Sequence, residues 1–322
     1  MEPMNRYTFE IFKIKGLDCY QTCFIHLVNY YRSEYNLCFL DMFRFRFQGV
    51  KSDYNTISQR LYNSNKHDLE RYAKEFYGTQ IHLVNFTKEI VKDIVFENLK
   101  KTGPILVSAP ANSCVWLPSY ETQQVYHSFI IINIDNGICQ IADPFYFTQI
   151  QNVSFEALNI CSMYIMKINR VNLKSPNRQF VIVDKARKEI GCQLKSRDFD
   201  EFILAFEQMN TLSEEYPDQR FYENIHWVTG LDKELGFTMA GSRDLYADFL
   251  FHISDYARDI HGLYSVARRI KQVKNLWIIL RNRLLHCYIT NQYDKQKSAI
   301  LTMLKNIYAE ETNIRKDVLC CL

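Results

Sequence analysis

The chain has 322 residues, 47% hydrophobic, 14% aromatic and 23% charged, an ordinary globular composition whose length points to two domains. Its 39 Lys and Arg against 36 Asp and Glu leave a net charge of +3, too small to argue for nucleic acid as a partner. Residues 1–16 lack the apolar core of a signal peptide, and no run approaches the ~18 apolar residues of a membrane span; the expectation is a cytoplasmic protein with no membrane association.

Ten cysteines without a secretory signal predict free thiols in a reducing compartment. None of their spacings makes a pair of C-x-x-C knuckles, so no metal site is expected, and nothing in the chain asks for a cofactor. Most of these thiols read as small core residues.

In chain order, the first strong signal is a helix from about residue 17 to 32. Asp18 with Gln21 three residues later is a capping-box pattern, and Tyr20, Phe24, Leu27, Val28 and Tyr31 follow at helical spacing. Cys19 therefore falls in the first helical turn, where unpaired N–H groups and the helix dipole favour a thiolate. Cys23, one turn later, reads as core, with a redox or metal pair to Cys19 as the sharper alternative. His26 and His82 have no partner at an informative spacing.

Further on, 68–77 reads as a helix closed by Gly78, 80–84 as a strand, and 87–101 as a helix stopped by Gly103-Pro104. A strand at 105–108 leads into a polar loop containing Trp116 and Tyr120, which either line a pocket or anchor the loop. Segments 127–134 and 138–143 flank Asp135-Asn136-Gly137, a strong hairpin signal, and 162–171 is a further strand. Beyond residue 172 the texture turns helical, with helices expected at 185–210, 242–261, 263–291 and 295–311. The expected division is thus an α+β domain over 1–172 and an all-helical domain over 185–322.

A first-turn cysteine acquires meaning if a histidine reaches it and a carboxylate orients that histidine. His127 opens the first hairpin strand and Asp143 ends the second. With a three-residue loop, residue 134 pairs with 138, Asp143 lies opposite Phe129, and Asp143 and His127 share a face. A two-residue loop shifts the register by one and sends them to opposite faces.

Asp18-Cys19-Tyr-Gln-Thr-Cys-Phe with Asn29-Tyr30-Tyr31 resembles the nucleophile helix of papain-like bacterial families. His127-Ser-Phe-Ile-Ile-Ile-Asn-Ile with Ile141-Ala-Asp143-Pro144-Phe is similar to their histidine strand and the D-P that follows it. Two groups share these features: the butirosin-biosynthesis BtrH acyltransferases and the leader-cleaving peptidases of peptide exporters. Gly103-Pro-Ile-Leu-Val-Ser-Ala, Trp116-Leu-Pro and Tyr126-His127 resemble the BtrH segment, and a helical C-terminal half without a transporter fits that family too. The peptidases carry a Gln about six residues before the cysteine, where this chain has Lys13, and often a Gly after it, where this chain has Tyr20.

The resemblance implies a papain-like (cysteine proteinase-like) N-terminal domain with Cys19 as nucleophile, His127 as base and Asp143 as orienter. It implies an acyltransferase that moves an acyl or aminoacyl group from an acyl or peptidyl carrier protein, held as a phosphopantetheine thioester, to a small-molecule or peptide amine in secondary metabolism such as antibiotic biosynthesis. The alternatives are a hydrolase using the same residues, as peptidase or thioesterase, and an inactive papain-like scaffold that serves as a binding partner. Arg268, Arg269, Lys271, Lys274, Arg281 and Arg283 form a basic stretch that reads as a solvated surface or, in the sharper reading, a dock for an acidic carrier.

Overall fold

A computed structural model of the chain describes residues 8–31, 34–49, 56–62, 66–85, 91–117, 126–167, 176–216 and 234–322. The chain divides into two units, Met1–Tyr35 with Leu69–Val171, and Asn36–Asp68 with Asn172–Leu322.

The first unit is α+β. Its strands are β1 (Gln80–Asn85), β2 (Ile105–Pro110), β3 (Tyr126–Asp135), β4 (Ile138–Ala142), β5 (Gln151–Ser154) and β6 (Ser162–Lys167). They form one six-stranded sheet in the order β1-β6-β2-β3-β4-β5, with every pairing antiparallel. β2 and β3 are central and carry near-continuous apolar runs. One face turns Ile105, Val107, Phe129, Ile131 and Ile141 into a core shared with Val91 and Val95 of the helix Val91–Thr102. Leu106 and Ile130, one residue out of phase, are equally buried and belong to the other face. β5 lies outside the strands expected from sequence: of Gln151-Asn-Val-Ser only Val153 is buried, so an edge strand of this kind leaves almost no apolar alternation.

The helix that begins at Cys19, α1 (Cys19–Tyr31), packs against β3 and β2. Gly16 turns the chain into it with φ 83°, a backbone that a side chain disfavours. Asp18 and Gln21 then close the expected capping box: Gln21 N–H donates to Asp18 Oδ1 at 2.8 Å, and Asp18 N–H donates to Gln21 Oε1 at 3.0 Å. His26 fastens the incoming segment to the helix. Its Nδ1 lies 2.7 Å from the Thr22 carbonyl and its Nε2 accepts from Phe12 N–H at 3.2 Å, a neutral tautomer consistent with burial lowering its pKa.

The second unit is built on the helices Pro176–Lys195, Asp198–Gln208, Ala240–Ile253, Ile260–Ile289 and Tyr293–Cys321. Among the described residues from 176 onward there is no strand. Residues 36–68 group with the helices rather than with the sheet. Phe43, Phe45 and Phe47 alternate with Arg44 and Arg46, and their rings enter the helical core. Phe45 stacks on Phe199 at 4.4 Å, Phe47 meets Phe202 at 5.3 Å and Phe43 stacks on Tyr246 at 5.1 Å. The same segment contributes a two-residue ladder, Arg46–Phe47 with Leu61–Tyr62, so this unit is not purely helical.

Inside it lies a buried charge cluster. Arg243 donates from Nε and Nη2 to the two carboxylate oxygens of Glu311 at 2.9 Å each, Trp277 Nε1 donates to Glu311 at 2.8 Å, and Arg315 Nη2 donates at 2.9 Å. The Arg315 guanidinium lies 4.7 Å from the Phe43 ring centroid. Burial opposes the Glu311 charge, but Arg243 and Arg315 outweigh it and hold the carboxyl below its usual range. No described helix is long and apolar enough to cross a membrane.

Candidate active site

The hairpin decides whether Cys19, His127 and Asp143 can act together. Its turn is the two-residue one: Asp135 pairs with Ile138, and Asn136 and Gly137 take φ of 47° and 80°, the paired positive angles of a type I′ turn. That register alone would separate His127 from Asp143. A bulge intervenes. Asn133 pairs with Gln140 but Ile131 pairs with Ile141, so Ile132 has no cross-strand partner and the pairing slips by one. Ile130 then faces Ala142, and one further step sets Asp143 opposite Phe129, on the face that also carries His127. The three-residue loop expected in one reading is thus absent, while the register that it would have produced is present.

The side chains meet accordingly. His127 Nε2 donates to Asp143 Oδ2 at 2.7 Å, and Cys19 lies near enough to the ring to favour its charged form. His127 is 5% exposed and Asp143 fully buried, whereas Cys19 is half-buried at the helix start, so the thiol is the member that a ligand can reach. Burial works against an imidazolium, but Asp143 first, with Cys19 adding, outweighs it and pushes the His127 pKa up to about 9.

α1 is held in place one turn beyond Cys19, where Cys23 Sγ donates to the Ser128 carbonyl at 3.4 Å. That contact, with complete burial, gives Cys23 its place in the core and pushes its thiol pKa well up. The turn after β4 fixes Asp143 from the other side, its carbonyl accepting from Tyr146 N–H at 3.1 Å and Phe147 N–H at 2.8 Å. The Tyr146 ring lies 5.5 Å from that of His127.

Lys13 is exposed in the segment before α1. Tyr20 is buried, packs on Tyr164 at 4.8 Å and donates its hydroxyl to Glu70. His82 is exposed on the edge strand β1. Tyr120 lies outside the described residues. The basic stretch is largely engaged within its own unit: Arg269 pairs with Glu310 and Asp317, Lys271 with Asp248 and Lys274 with Asp244. Exposed pairs of this kind add little stability. All ten cysteines are free, and among the described residues no group of three or more His, Cys, Asp or Glu side chains could hold a metal ion.

Sequence reasoning named Trp116 as lining a pocket or anchoring its loop, and missed its bond to Asp143. Trp116 Nε1 donates to the same Asp143 oxygen at 2.9 Å. The signal available was a Trp in a polar loop, whose N–H needs a partner once buried. Compared with protein-family models and with the curated proteins, the chain matches none.

Proposed function

We propose that the chain is a cysteine acyltransferase with a papain-like N-terminal unit, in which Cys19 is the nucleophile, His127 the acid-base group and Asp143 its orienter. The observation that carries this reading is the His127 ring, hydrogen-bonded to a buried Asp143 and under the influence of Cys19, a half-exposed thiol at a capped helix start.

In the first half-reaction His127 takes the Cys19 proton and the sulfur attacks the carbonyl carbon of a carrier-bound pantetheine thioester. The C–S bond to pantetheine breaks, and His127 returns the proton to the departing thiol. In the second half an amine attacks the acyl-Cys19 carbonyl, a C–N bond forms, the C–S bond to Cys19 breaks, and the amine's proton passes through His127 to the released sulfur. Thioester exchange is close to isoenergetic, so the demanding task is to favour the amine over water. The substrates are an acyl or aminoacyl group on an acyl or peptidyl carrier protein and a small-molecule or peptide amine, a pairing that fits secondary-metabolite assembly.

Intact-mass measurement after mixing the protein with an acyl-pantetheine thioester tests this. The expected result is one acyl adduct, mapped to Cys19 and absent from Cys19→Ala, that is discharged onto an added amine. Discharge to the free acid at the same rate with and without amine would make the protein a hydrolase. No adduct and no turnover with several acyl groups would leave a binding scaffold.

A further inference from the structure

Asp143 is a buried carboxylate with few donors. Oδ2 accepts from His127 Nε2 at 2.7 Å and from Trp116 Nε1 at 2.9 Å, while Oδ1 has no hydrogen-bond partner among the described residues. A buried ionised carboxylate is costly unless its lone pairs are met, so each of the two donors matters more than in a saturated site. His127 keeps its Nε2–H on Asp143 throughout, but the charge of its ring changes in the reaction; the Trp116 indole N–H only donates and does not titrate.

The local chain is built to hold that indole. After β2 the backbone turns through Ala111–Ser113, Cys114 N–H donates to the Ala111 carbonyl at 3.0 Å, and Leu117 N–H donates to the Cys114 carbonyl at 2.9 Å. The Trp116 ring meets Phe129 edge-on at 5.0 Å, and Phe129 stacks at 6.5 Å with His127 on its strand. Trp116 and His127 thus converge on a single oxygen from two separate elements.

We infer that Trp116 is a positioning residue of the triad, which aims Asp143 Oδ2 at His127 and so sets how readily Cys19 reacts. This rests on the reading of Cys19, His127 and Asp143 as a working unit.

The rate of Cys19 alkylation by iodoacetamide as a function of pH, followed by peptide mass mapping, tests it without a known substrate. Mapping is needed because Cys192 and Cys320 are also exposed. The neighbouring titratable groups stay protonated over the useful range: burial first, with Asp143 and Cys19 adding, pushes the Cys114 thiol and the Tyr146 hydroxyl each up to about 12, and the Cys23 thiol is likewise well raised. The two variants are Trp116→Phe and a Trp116 replacement by the benzothienylalanine isostere, which keeps the ring's shape and lacks the N–H.

The expected outcome is alkylation slowed roughly tenfold at pH 7 by either change, the worth of one hydrogen bond to a charged group. In an Asp143→Asn background the isostere should cost no more than about twofold. Wild-type rates with the isostere would reduce Trp116 to packing and overturn the inference, as would an equal loss with and without Asp143. Should His127→Ala and Asp143→Asn both leave Cys19 alkylation unchanged, the triad reading itself fails, which is a separate result.

Discussion

At the scale of residues, His127 carries the clearest consequence. A folded pKa of about 9 against an ordinary value of 6.5 means that the native state binds a proton which the unfolded chain has released. The stabilisation is complete below pH 6.5 and is lost as the pH rises through about 9. Thermal melts of the wild type and His127→Gln between pH 6 and 10 check this: the wild-type advantage in Tm should shrink steadily across that window, and a constant difference would contradict it. Cys19, His127 and Asp143 were legible because each has a local cue: a cap before the cysteine, an apolar strand after the histidine, a proline after the aspartate. Trp116 was not. Its bond to Asp143 spans 27 residues and depends on the path of the 111–117 turn, which no propensity describes.

At the scale of elements, the hairpin shows where pattern reading stops. Asn136-Gly137 announced the turn, and the turn is there. The bulge at Ile132 gave no sign, because Ile130, Ile131 and Ile132 are all apolar and a slip of phase leaves such a run unchanged. Only past the slip do Ile134 and Ile131 share the core face although they are three positions apart. Deleting Ile132 should therefore be tolerated, since Asn133–Gln140 and Ile131–Ile141 already pair on either side of it. Deleting Ile130 should not, because it turns Phe129 out of the core and His127 away from Asp143. The expected readout is acyl-adduct formation within about threefold of wild type for the first deletion and none for the second, with Tm measured alongside; the two estimates follow from the face-flip rule. Loss of the adduct in both would mean that the bulge itself shapes the site.

At the scale of the molecule, the helices of the second unit were visible as periodic segments, but the partners inside it were not. Glu311 and Arg243 are 68 positions apart and meet only in the packed bundle. Glu311→Gln would leave two buried guanidinium groups without a carboxylate, and the expected loss of stability is roughly 3–5 kcal/mol, read from urea unfolding of the intact chain. A loss below about 1 kcal/mol would mean that water reaches the cluster. The 36–68 segment has a bearing on how the chain is made. Phe43, Phe45 and Phe47 are synthesised long before Phe199, Phe202, Tyr246 and Trp277, the rings that surround them. At roughly 5–20 residues per second, the remainder of the chain takes on the order of ten to fifty seconds to leave the ribosome. For that interval the aromatic stretch on the nascent polypeptide lacks the rings that cover it in the native fold, the character of a chaperone client.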